Sequence, residues 1–259
     1  MAGLLLAAVA AFVALPSARS ASAPVRRSSG RASEGPLPRP VRPAFAVPRP
    51  LPLSGDESVS HWAPVLRSVR ALAEPDASAA PVAVLETQTP EGTANIALVL
   101  EAAADAEGRL WARVRLPVLP NNSTAWVPRR ALGGYTVVRT HLVIDVERLS
   151  ATLYRGQRTV FTADVGVGRP SWPTPTGEFY VRNKLTSFDS PTYGPLAFGT
   201  SARSDVLTDW PAGGFIGIHG TDEPELLPGA VSHGCIRMRN ADILELGRLM
   251  PVGTPLTIR

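Results

Sequence analysis

Apolar and polar residues alternate with a period of two over Leu110, Ala112, Val114 and Leu116, which are interleaved with Trp111, Arg113 and Arg115. This is the pattern of a strand with one face buried. Asn121-Asn122-Ser123-Thr124 then reads as a turn, and Trp126-Val127-Pro128 as a second short strand. Beyond Thr140 the strand signals become dense: Leu142–Val146, Ala151–Tyr154 and Thr159–Val165 are separated by Glu147-Arg148 and by Gly156, which predicts a meander. A single helix is expected, with Asn240 as N-cap, Asp242 in the first turn, and Ile243, Leu246, Gly247 and Met250 on one face. Pro251–Ile258 reads as a turn and a closing strand.

The first part of the chain has a different texture. Leu4–Leu15 is an apolar run followed by Pro16 and small residues up to Ala23, too short to span a bilayer comfortably, and residues 1–23 are expected to be an export signal. Met1-Ala2-Gly3 lacks the positive charge usual there, so an uncleaved membrane tether is the other reading. Residues 24–59 are rich in Pro, Arg and Ser and read as an extended linker. Residues 60–136 are expected to form a small β domain and residues 137–259 a second, mainly β domain.

Charge adds little: the formal net charge is +4, and Lys184 is the only lysine, so the basic side is almost all arginine. No nucleic-acid partner is inferred, since acidic wall polymers suit a mildly cationic surface equally well. Cysteine usage matters more. One cysteine rules out an intramolecular disulfide and any multi-thiolate metal site, and a lone thiol in an exported chain asks for a chemical explanation.

That thiol lies in the segment Phe215-Ile-Gly-Ile-His-Gly-Thr221, a loop, then Ser232-His-Gly-Cys-Ile-Arg-Met-Arg-Asn240, which holds two of the four histidines. A cysteine is mostly protonated at neutral pH and needs a base or a cation beside it to act as a nucleophile. His219 ends a predicted strand and can serve if the loop folds Cys235 back to it. His233 is so near in sequence that its side chain is expected to leave in another direction. Backbone N–H groups around Gly234 and Cys235, near the start of the expected helix, are candidates for holding an oxyanion. Two other readings stand at this level: an inert cysteine with a structural histidine, and zinc bound by His219, His233 and Cys235, although no second ligand cluster supports the metal. His61 and His141 have no motif around them.

The order His219-Gly-Thr, spacer, Ser232-His-Gly-Cys-Ile-Arg-Met-Arg-Asn240 is similar to the signature of the L,D-transpeptidase catalytic domain, the YkuD family. Thr174-Pro-Thr-Gly-Glu-Phe179 resembles its upstream turn and strand, and Val252-Gly-Thr-Pro-Leu-Thr-Ile258 its closing strand. The Trp111 to Leu132 region resembles bacterial Src-homology-3-like barrels of wall enzymes, either as a wall-glycan-binding module or as a domain that only packs on its neighbour.

The resemblance implies a mainly β chain with one short helix after the nucleophile, preceded by a small β-barrel-like domain. It implies Cys235 as nucleophile, His219 as general base and acid, and Gly220 as orienter of the His219 ring. His233, Gly234 and Ser232 would shape the oxyanion pocket, and Arg237 and Tyr193 would touch substrate, Arg237 having a competing reading as an ion-pair partner. The stretch from Leu185 to Gly214, with Tyr193 and Trp210, is expected to be a lid. Stem peptides of peptidoglycan are the implied donor and acceptor, with no metal or organic cofactor. An L,D-carboxypeptidase, with water as acceptor, would use the same residues.

Overall fold

The computed structural model describes Arg39 and residues 50–54, 59–186, 190–207 and 214–259, so the expected export signal and most of the linker lie outside the described residues. Among the described residues, two sheets account for the architecture. In the first, the ladder runs Pro81–Leu85, Val69–Leu72, Thr124–Pro128, Leu110–Arg115, Ile96–Ala104, Ser60–Pro64 and Thr136–Val138. Leu51–Pro52 joins it against Glu101 and Ala102, so residues 51–54, read as linker, belong to this sheet. Ala112, Val114 and Leu116 face its core as the alternation predicts, but Trp111 on the opposite face is buried too. Trp126, Leu72 and Ala103 cover it, and its indole N–H donates to Asp105 at 2.9 Å. An aromatic ring supplies enough apolar area to pull a nominally outer face under cover.

In the second sheet the predicted meander forms from Thr140–Asp145, Ser150–Arg155 and Arg158–Asp164. Pro255–Ile258 then pairs in parallel with Thr140–Asp145 and antiparallel with Gly177–Leu185. Next in order come Ala197–Arg203, Phe215–His219, Ile236–Arg237, Gly166–Gly168 and Gly229–Ser232. The helix Asn240–Leu249 buries Ile243 and Leu246 against this sheet's core. Asn240 is not its N-cap, a correction to the sequence reading: Arg239 holds that place without a side-chain hydrogen bond. The Asn240 amide is drawn elsewhere, to the Thr221 N–H at 3.0 Å.

Both sheets lie in one compact unit, and their contact is apolar at its centre. Ile96 and Leu98 of the first pack with the wholly buried Tyr180 of the second, whose hydroxyl donates to the Ile96 carbonyl at 3.0 Å. Trp62 lies against Gly253, where φ is +81° and an added Cβ would sit 2.0 Å from Trp62 Cδ1. Gly253→Ala thus meets both a left-handed backbone and an occupied site. The expected loss is roughly 2–5 kcal/mol, read as a lower midpoint in chemical denaturation.

Candidate active site

The strand Phe215–His219 sorts its side chains by the two-residue period. Ile216 and Ile218 enter the core, while Phe215, Gly217 and His219 share the other face. On one edge it pairs antiparallel with Ala197–Arg203, and on the other in parallel with Ile236–Arg237, in the register Ile218 to Ile236 and His219 to Arg237. That register sets Cys235 beside Gly217, whose N–H points to the sulfur at 3.4 Å. A Cβ on Gly217 would lie 3.8 Å from His219 Cδ2 and 3.9 Å from Cys235 Sγ. The two groups therefore converge over the position on that face that carries no side chain.

The chain around the thiol is held by its own short polar residues. Ser232 Oγ donates to the Cys235 carbonyl at 2.5 Å and accepts the Gly234 N–H at 3.0 Å. Gly234 takes φ +113°, with Ile216 Cδ1 3.0 Å from where a Cβ would be. Thr174, buried, donates to the Gly234 carbonyl and accepts the Gly168 N–H, both at 2.8 Å. The Gly234 N–H, expected among the oxyanion donors, is taken by Ser232. The helix begins at Asn240 as expected, with the short strand Ile236–Arg237 between it and Cys235.

His219, nearly fully buried, meets the Gly220 carbonyl at 2.6 Å through Nδ1. A carbonyl only accepts, so Nδ1 carries the proton and Nε2 keeps its lone pair. Asn240 Oδ1 holds the next residue by accepting the Thr221 N–H, and Gly194 and Gly220 flank it so closely that a Cβ on either would come within 2.3 and 2.2 Å of that oxygen.

Residues 139–258 match the family model of the L,D-transpeptidase catalytic domain, YkuD. This segment is similar to L,D-transpeptidase catalytic domains. It is 35% identical over 118 residues to the Bacillus subtilis (strain 168) protein YkuD, named as an L,D-transpeptidase, covering 46% of this chain and 65% of that one. The Bacillus licheniformis YkuD is 33% identical over 117 residues, with coverages of 45% and 64%. The chain thus spans just under two thirds of the length of these relatives. The catalytic domain of an Enterococcus faecium L,D-transpeptidase aligns over 46% of this chain and 96% of its own length, at 26% identity and a TM-score of 0.37.

In this segment a cleft of about 260 Å³ opens on Cys235 and His219 and is walled by Tyr193, Phe215, His233 and Arg237 among others. A larger cavity of about 670 Å³, lined from both sheets, holds neither group. Burial pushes the His219 imidazole down to about 4, against the pull of its Gly220 hydrogen bond and helped by the Arg237 cation. Burial also pushes the Cys235 thiol up, which the Gly217 N–H and Arg237 only partly offset. With both groups desolvated, the resting pair is neutral thiol and neutral imidazole.

The other sequence candidates fall at different depths. Tyr193 meets the His219 ring edge to face, centroids 4.8 Å apart. His233 is exposed, tilts against Trp172 at 4.4 Å and lines the same cleft as Cys235. Arg237 pairs with Glu223 at 2.8 Å, while its buried Nε has no hydrogen-bond partner. Trp210, expected in a lid, lies outside the described residues. Neither Trp172 nor the anchoring role of Thr174 is legible in the sequence, where Thr174 reads as part of a turn; its burial and its bonds to Gly168 and Gly234 distinguish it from an ordinary turn threonine.

Proposed function

We propose that the chain is a peptidoglycan L,D-transpeptidase in which Cys235 is the nucleophile and His219 the general base and acid. The observation that carries this reading is the convergence of Sγ and the His219 ring over Gly217, with Nδ1 tied to Gly220 and Nε2 left basic. Sγ attacks the carbonyl on the L-centre of the diamino acid in a tetrapeptide stem as its proton passes to Nε2. The tetrahedral intermediate then collapses, the C–N bond breaks, and the imidazolium protonates the departing D-Ala amine. A side-chain amine of a second stem adds to the thioester and gives its proton to His219, which returns it to the leaving sulfur. A cross-link forms and the free thiol is regenerated.

Arg237, with a donor left over after Glu223, suits a substrate carboxylate or carbonyl, and Tyr193 covers His219 from the cleft side. Ser232, His233, Gly234 and Gly220 keep the nucleophile and base in register, and wall glycan remains the proposed ligand of the first sheet. We place the protein outside the cytoplasm on the apolar run Leu4–Leu15 and the polar stretch that follows it.

Intact-mass analysis with a disaccharide tetrapeptide tests the reading: the protein should gain the stem acyl group as D-Ala is released, and lose it when an amine acceptor is added. An unchanged mass alongside unreleased D-Ala would overturn it. Loss of the acyl group to water alone would make it an L,D-carboxypeptidase.

The pH profile follows from the low imidazole pKa. A protonated His219 cannot accept the thiol proton, so activity falls only as pH drops through about 4. The rate of D-Ala release should show no inflection near 6.5, the value of an ordinary histidine.

A further inference from the structure

Phe215 stands at the start of the strand that ends in His219, on the same face, and lines the cleft. The guanidinium of Arg182 lies over its ring at 3.8 Å, and that of Arg203 at 5.0 Å. Arg182 is among the largest fully buried side chains of the molecule. Its Nε donates to the Thr200 carbonyl at 2.6 Å, and its other arm reaches into the first sheet's territory, to Glu91 at 2.9 Å. The second Glu91 oxygen accepts from Asn183 at 3.0 Å. Arg203 is tethered from the same side, its backbone N–H and carbonyl both bonded to the Asn121 amide at 3.0 and 2.7 Å. Two loops of the first sheet therefore grip the two arginines that floor the Phe215 ring.

We propose that the first sheet is a positioning element of the catalytic cleft: Glu91 acting through Arg182, and Asn121 acting through Arg203, set the Phe215 wall along which the substrate chain lies. The inference deepens the transpeptidase reading and rests on it for the identity of the substrate. Its physical basis is that a buried cation keeps its place only while paired. Without the Glu91 charge, Arg182 is drawn towards water and Phe215 loses the platform that holds it clear of the cleft. Cys235, His219 and Gly217 are fixed by their own backbone register and do not depend on this contact. The effect is expected on substrate fit and not on the chemical step.

The test is Glu91→Gln in the full chain, with Arg182→Lys beside it. KM for the disaccharide tetrapeptide should rise about tenfold while kcat stays within about twofold. Alkylation of Cys235 by iodoacetamide, small enough to bypass the wall, should keep its parental rate, whereas a bulky aryl maleimide should slow several-fold. Simple loss of structure would instead lower kcat at constant KM or accelerate both reagents, and either result would overturn the proposal, as would an unchanged KM and maleimide rate. Should Glu91→Gln prove poorly folded in a thermal melt, Asn121→Ala removes the other tether without stranding a buried charge, and the same pattern is expected. If the parent releases no D-Ala, the substrate reading fails, and the ratio of maleimide to iodoacetamide rates still decides the positioning role.

Discussion

Cys235→Ala is expected to abolish both D-Ala release and the acyl-protein mass while leaving the thermal midpoint near that of the parent. The substitution removes the nucleophilic sulfur and little volume, and the loop around it is fixed by Ser232 and Thr174, which bond to backbone atoms and not to the thiol. The sulfur receives one weak bond, from Gly217, at a distance typical of a thiol acceptor. Circular dichroism and a melting curve would verify the fold, and intact mass the loss of acylation. A variant that released D-Ala at the parental rate would end the cysteine mechanism outright.

The second large effect is expected at His219. His219→Ala removes both the acceptor of the thiol proton and the donor to the leaving amine, and turnover should fall by a factor of about 10²–10⁴. An imidazolium partner would draw the thiol pKa below its usual value, but burial of both groups reverses that direction. Alkylation of Cys235 should therefore rise only above the pH at which an ordinary thiol ionises, in the parent and in His219→Ala alike. His233→Ala should leave turnover within about tenfold, since its ring faces Trp172. Were His233→Ala the crippling variant and His219→Ala near parental, the base would be misassigned.

Most of the second sheet was legible because its strands carry unbroken apolar and β-branched runs, and the meander Thr140 to Asp164 needed no long-range information. The Cys235 and His219 pair was legible through its motif. What the sequence did not disclose depends on partners far along the chain. Asn240 has every local feature of a helix cap, yet its amide is claimed by Thr221 across the fold. Asn121 and Asn122 read as turn composition, and they are in a turn, but their amides also bond to Arg203 and to the Glu178 N–H in the other sheet. Trp111 alternates with apolar neighbours as an outward residue and is buried by rings and side chains from other strands. The direction of the two pKa shifts was equally hidden, because desolvation is set by the enclosure of the site and not by the neighbours in the motif.

The parallel pairing of Phe215–His219 with Ile236–Arg237 has a consequence for how such proteins can vary and be found. His219 and Cys235 meet because two strands lie side by side in a fixed register, not because of the length of chain that joins them. Within the connection, the exposed stretch from Asp222 to Leu226 can lengthen, shorten or acquire new recognition surface without moving His219 or Cys235, whereas a one-residue insertion inside either strand would turn its side chains to the opposite face. A genome search with a fixed gap between the histidine and the Ser-His-Gly-Cys run would discard sound members. The same segment is where an engineer seeking new substrate preference has most freedom to graft.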